Sequence, residues 1–262
     1  MQKYRETESR SKQTDDINGR RGTGGLSERG NGYPMKVLLL ADEEDKALWD
    51  FYKPGVLKDY DLIISCGDLH RSYLEFIVTM ASCPLLYVRG NHDESLRKEP
   101  PEGCICIEDK VFDYKGLRIL GLGGSMRYLP YRYDQYTEED MKSRIKKVNR
   151  EITLRNGFDV LVTHAPAAGH GDLTDLPHRG FECFNTLLME QKPKYMFYGH
   201  VHATYSNRAF IRREKHESGT VLINAYKRYE LEIGPDEYPA VGKTGSFLYD
   251  LVMEIKEKRR KY

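Results

Sequence analysis

The sequence has no run approaching the roughly 20 consecutive apolar residues that a bilayer-spanning helix needs, and its amino-terminus lacks the apolar centre of a secretory leader. No membrane partner is therefore expected. Cysteine is scarce: five residues, at 66, 83, 104, 106 and 183, an odd number with no CxxC pair. That argues against a disulfide framework and a Cys-based zinc site, and points to a soluble, cytoplasmic protein. Nor does either charge dominate, with 41 Lys and Arg against 40 Asp and Glu in 262 residues. So neutral a chain has no global basic field, and stable binding to nucleic acid is not expected.

Hydrophobic residues are short in one place. Residues 1–34 hold only Met1, Tyr4, Ile17, Leu26 and Tyr33, together with six glycines. Such a segment cannot bury enough apolar area to offset its ordering entropy, so 1–34 is expected to be a disordered extension. Met35 precedes the first strand-like run, and two readings of the extension stand: a segment ahead of the natural start, or a functional tail. The remaining 228 residues, 35–262, are about 43% hydrophobic, enough for one domain with a full core. The extension carries +2 and the domain −1.

Within the domain, short apolar runs alternate with amphipathic stretches. Strands are expected at 37–41, 62–66, 85–88, 160–163 and a shorter run ending at 198, and helices at 71–82, 138–154 and 181–191. Thr137 followed by Glu138, Glu139 and Asp140 has the form of a helix start. This alternation reads as βαβ units and an α/β class. Shorter strands, read as antiparallel, are expected at 111–114, 117–122, 206–211, 219–224 and 247–254.

The residues at the end of each buried run carry the chemistry. The first run ends in Asp42-Glu43-Glu44 and the second in Gly67-Asp68. The third passes Arg89 into Gly90-Asn91-His92-Asp93. The fourth ends in His164-Ala165-Pro166 and the fifth in Gly199-His200-Val201-His202. In open α/β sheets ligands bind beyond the carboxyl ends of strands. Five successive ends carrying Asp, Asn or His form an oxygen and nitrogen donor set without thiolate. Such a set suits Mn, Fe, Zn, Ni or Mg.

On these residues the sequence resembles the calcineurin-like metallophosphoesterases, whose motifs run D-x-H, G-D, G-N-H-[DE], H and G-H-x-H in that order. The resemblance covers most of residues 36–225. It implies a four-layer αββα sandwich of two mixed sheets, with a dinuclear metal site at the strand carboxyl ends. By the same resemblance Asp68 bridges two divalent metal ions, Asp42 and His202 complete one site, and Asn91, His164 and His200 complete the other. His92 then stands beside the scissile phosphate, and a metal-bridging hydroxide attacks phosphorus while His92 assists at the phosphate or leaving group.

One position departs from the pattern: Glu44 stands where D-x-H has its histidine. As a ligand, Glu44 would add a carboxylate and favour Mn or Fe, with Mg, Ni or Zn open. Pointed away, it would leave a weak metal site. The implied function is hydrolysis of a small phosphoester by a phosphoric ester hydrolase, a phosphodiesterase by likeness to the small phosphodiesterase branch that includes the class III cyclic-nucleotide enzymes. Nucleotides are candidate substrates by analogy alone. The second Asp and the Arg-Gly pair of the Ser/Thr protein phosphatases are missing. The alternative is a catalytically weak or inactive binding module. His70, Arg127, Tyr128 and His170 are the further substrate-binding candidates. Val241-Gly242-Lys243-Thr244 is no P-loop, because Glu237 stands where the first glycine is required.

Overall fold

The computed structural model describes residues 33–205 and 210–260. The expected disordered extension lies outside them except for its last two residues, as does most of the strand expected at 206–211. In chain order the described elements are β1 (Met35–Ala41), β2 (Leu62–Ser65), α1 (Arg71–Met80), β3 (Leu85–Tyr87), α2 (Ser95–Lys98), β4 (Ile105–Cys106), β5 (Lys110–Tyr114) and β6 (Leu117–Leu122). They continue with β7 (Ser125–Met126), β8 (Gln135–Tyr136), α3 (Glu138–Leu154), β9 (Val160–Thr163), α4 (Glu182–Gln191), β10 (Tyr195–Tyr198), β11 (Arg213–Lys215), β12 (Val221–Asn224), β13 (Lys227–Ile233) and α5 (Phe247–Arg260).

Two mixed sheets form, in the orders β13-β1-β2-β3-β4 and β11-β12-β10-β9-β6-β5. The apolar runs are continuous because both faces of each central strand are buried. In β1, Val37, Leu39 and Ala41 point between the sheets, while Leu38 and Leu40 point outward to meet Tyr73, Leu74 and Ile77 of α1. Likewise Val160 and Val162 of β9 face the inter-sheet core, and Leu161 faces Met141, Val148 and Ile152 of α3 and Leu188 of α4. The layers are therefore helix, sheet, sheet, helix. Fully burying one such aliphatic side chain contributes roughly 1.5–3 kcal/mol.

Local signals set several boundaries. Thr137 caps α3 through a capping box with Asp140, and α3 spans the expected 138–154. The strand expected at 247–254 is instead helix α5. Its apolar residues fall at 247, 248, 249, 251, 252, 253 and 255, a set that fits helical and alternating spacing alike. The expectation of antiparallel pairing holds for β5 with β6 but not throughout, since β12 is parallel to β10 and antiparallel to β11. Strand β13 has no counterpart among the expected strands. Its alternating but charged sequence caps the edge of the first sheet, antiparallel to β1. No helix among the described residues is long and apolar enough to cross a membrane.

Candidate metal centre

The parallel strands β1, β2 and β3 of one sheet and β9 and β10 of the other end side by side. Asp42 N–H donates to Gly67 O at 3.1 Å, and Gly199 N–H to His164 O at 2.9 Å, tying neighbouring ends together. Asp42, Asp68 and His200 all take left-handed backbone conformations, with φ of 68°, 57° and 68°. Non-glycine residues adopt these at a cost, and such strain gathers at functional sites. Gly90 lies so close to Asp68 and His164 that any β-carbon there would collide with both.

Five motifs far apart in sequence meet here. His200 N–H donates to Asp42 Oδ1 and Oδ2 at 2.8 and 3.0 Å, linking the two sheets. His202 Nε2 is 3.6 Å from Asp42 Oδ1. Asp68 Oδ1 accepts from His92 N–H at 2.8 Å, and its Oδ2 lies 3.2 Å from His164 Nε2. That same Nε2 is 3.0 Å from Asn91 Oδ1. Asp68, His164 and His200 bring one donor atom each within 4.8 Å of one another.

The two inner histidines have their outer nitrogens engaged. His164 Nδ1–H donates to Cys66 O at 2.8 Å, and His200 Nε2–H donates to Pro177 O at 2.7 Å. A carbonyl can only accept, so the tautomers are set, leaving His164 Nε2 and His200 Nδ1 for a cation. Metal-ligating histidines are commonly oriented in this way. His202 is held by stacking instead, between Tyr205 at 4.1 Å and Tyr226 at 4.9 Å, while Tyr226 Oη–H donates to Glu43.

The charges fit a cation site. Burial disfavours the His164 imidazolium, but the Asp68 carboxylate outweighs it and lifts the pKa to about 10. Burial likewise opposes the Asp68 anion, yet His164 holds Asp68 below the ordinary carboxylate range. A divalent cation would satisfy the same oxygen and nitrogen. Burial and the His164 charge push His200 down to about 3, keeping it in the neutral form that coordinates. Burial and the Asp68 charge raise Asp93 to about 7. Its Oδ2 accepts from Asp68 N–H and Gly90 N–H at 2.7 and 2.8 Å, so Asp93 braces both loops.

A cavity of about 450 Å³ opens over this cluster and is lined by Asp42, Asp68, Asn91, His92, Tyr128, His200 and His202 among the expected residues. Glu44 is not in the lining, and its Oε1 accepts from His70 N–H at 3.1 Å. Nor is His70, whose ring caps α1 through Ser72. Arg127 pairs with Asp140 at 2.9 Å, and His170 lies against Glu214 and His216. Three residues without an assigned role do line the cavity: Pro177, His178 and Tyr205. His178 shares its segment with His170, and only the path of the loop separates them. Tyr205, three residues after His202, was detectable from that spacing.

The sequence profile described as calcineurin-like phosphoesterase matches residues 38–204. The chain is 27% identical over 110 residues to UPF0046 protein T07D4.2 of Caenorhabditis elegans, a match covering 41% of this chain and 26% of that protein. This chain thus spans about a quarter of that relative's length. It is 25% identical over 202 residues to an uncharacterized protein of Haemophilus influenzae, covering 65% of this chain and 86% of that one. One solved crystal structure shares the fold with a TM-score of 0.57 at 16% identity, over 76% of this chain and 95% of that chain. With the profile spanning more than half of the sequence and its motifs converging on one cavity, the chain belongs to the calcineurin-like phosphoesterases, a family of metal-dependent phosphoester hydrolases.

Proposed function

We propose that the protein is a phosphodiesterase acting on a small phosphodiester, nucleotides being one candidate class, with two divalent cations drawn from Mn²⁺, Fe²⁺, Mg²⁺, Ni²⁺ and Zn²⁺. The supporting observation is the position of Asp68, adjoining the His164–Asn91 group through one oxygen and the His92 loop through the other, with Asp42 and His202 across the cavity. Carboxylate, amide and imidazole donors without thiolate suit these metals. When bound, such ions polarise the phosphoryl oxygens and activate the attacking water.

The chain's own groups then bind and orient. Asp42 and His202 would hold one ion and Asn91, His164 and His200 the other, with Asp68 between the two groups. His92, its backbone anchored on Asp68, donates to a phosphoryl or leaving-group oxygen from the cavity mouth. Tyr128 Oη accepts from Asn91 Nδ2 at 3.3 Å, and Tyr205 stacks on His202, so two phenol rings border the space for the ester groups. No Arg or Lys lines the cavity among the described residues. Beyond the metal cations themselves, no such side chain is there to meet the second negative charge of a monoester, which favours the singly charged diester.

Steady-state hydrolysis of bis(p-nitrophenyl) phosphate and p-nitrophenyl phosphate, with Mn²⁺, Fe²⁺, Mg²⁺ or Zn²⁺ added in turn, tests this reading. Faster turnover of the diester is expected, and preference for the monoester would count against it. The orientation of Glu44 favours a second reading, a metal-binding module of low activity. Metal uptake without turnover of either ester under any of these ions would select it.

A further inference from the structure

Among the described residues, the outer face of α5 carries five exposed apolar side chains. Phe247 is 80% exposed, Leu248 65%, Leu251 47%, Val252 48% and Ile255 43%. Their spacing puts all five on one side of a 14-residue helix. Single exposed hydrophobics are ordinary, whereas a contiguous stripe marks an interaction surface.

Charge is sorted on the same helix. From 247 to 259 every exposed residue is apolar or basic, the basic ones being Lys256, Lys258 and Arg259. The acidic residues Asp250, Glu254 and Glu257 are each partly buried. Asp250 accepts from Thr244 N–H and Gly245 N–H, both at 2.9 Å. Glu254 packs over Gly242, and Glu257 lines a groove with Phe112 and Lys115, whose outer rim is formed by the exposed Lys256 and Arg259. Buried Tyr249 bonds Asp113, so the inner face alone anchors the helix to β5.

We infer that α5 docks on the surface of an anionic phospholipid bilayer. The apolar stripe enters the headgroup boundary while Lys256, Lys258 and Arg259 meet anionic headgroups. This is lying on a membrane rather than crossing one; it departs from the expectation of no membrane partner, which rested on spanning segments alone, and is compatible with the absence of a spanning helix among the described residues. A second copy of the chain fits less well, because it would bring the same exposed basic residues to the interface.

Co-sedimentation of the full chain with phosphatidylcholine vesicles, with and without phosphatidylserine, tests the inference. Binding is expected to the anionic vesicles, weakening as salt rises. Each basic residue contributes about fivefold in affinity, so Lys256→Gln with Lys258→Gln should lose about twenty-five-fold. Leu251→Asp with Ile255→Asp should abolish binding while leaving the far-ultraviolet circular dichroism unchanged, since both positions are exposed. Equal binding to both vesicle types, no binding, or full binding by the Asp pair would overturn the inference. So would a wild-type dimer, seen by sedimentation velocity, that ignores vesicles and is dissociated by the Asp pair.

Discussion

His200 Nε2 donates to the carbonyl oxygen of Pro177 at 2.7 Å, which stitches the segment after β9 onto the metal centre. The next residue, His178, consequently stands over the cavity, its ring 5.0 Å from His200 and 4.9 Å from Tyr205. Asp175 Oδ2 engages its Nδ1 at 2.6 Å. His178→Ala is expected to lower kcat/KM toward a phosphodiester about tenfold, the scale of one charge-assisted hydrogen bond. His170→Ala, on the far side of the loop, should leave it unchanged. Equal effects in paired steady-state assays would show that the loop acts only as a scaffold.

Asp68 and His92 should separate metal binding from turnover. Asp68→Asn removes a carboxylate shared by both donor groups and is expected to lower metal content and activity together. His92→Ala should keep its metal and lose about 10²–10⁴ in kcat, the usual worth of a positioned acid. Elemental analysis of the purified variants beside their kinetics reads both.

Glu44 provides a sharper contrast. Because its carboxylate accepts from His70 N–H, Glu44→Ala is expected to cost about 0.5–1.5 kcal/mol of stability by denaturant titration and to leave metal stoichiometry unaltered. Loss of one metal equivalent would show that the side chain swings into the site when cations bind.

Tyr226 acts on His202 through stacking and on Glu43 through its hydroxyl. Tyr226→Phe keeps the ring and should alter metal affinity little. Tyr226→Ala frees the imidazole, and affinity should fall about 10–100-fold, as for other groups that orient a ligand. Metal titration by calorimetry distinguishes the two.

Glu237 predicts a pH dependence away from the site. It accepts from Gly234 N–H and Tyr195 Oη–H, both at 2.9 Å, and lies 3.2 Å from Lys194 Nζ. Burial opposes its charge, but these partners prevail and hold the carboxyl below its ordinary value of 4.5. A depressed folded-state pKa stabilises the fold above the unfolded value and ceases to do so as pH falls through the folded one. The Tm difference between wild type and Glu237→Gln should therefore be present at neutral pH and close below pH 4.5. A difference that does not shrink at all as pH falls below 4.5 would refute the linkage.

The central architecture was legible because its signals are local. Two-sided burial makes the inner strands continuous apolar runs, the capping box marks the start of α3, and a donor residue follows each of β1, β2, β3, β9 and β10. Helix α5 and strand β13 were not legible. The apolar positions of α5 satisfy helix and strand alike until neighbours choose, and β13 is a charged edge strand ordered by pairing with β1.

By itself, then, the sequence determined the order of the donors, the absence of thiolates and the departure at position 44. Tertiary structure alone decided which groups touch. It turned Glu44 toward His70, brought His178 rather than His170 over the cavity, and set His202 between two tyrosines. The physical reason is distance along the chain. Asp42 and His200 are 158 residues apart, so their hydrogen bond depends on two sheets packing across a shared core, which no local pattern encodes.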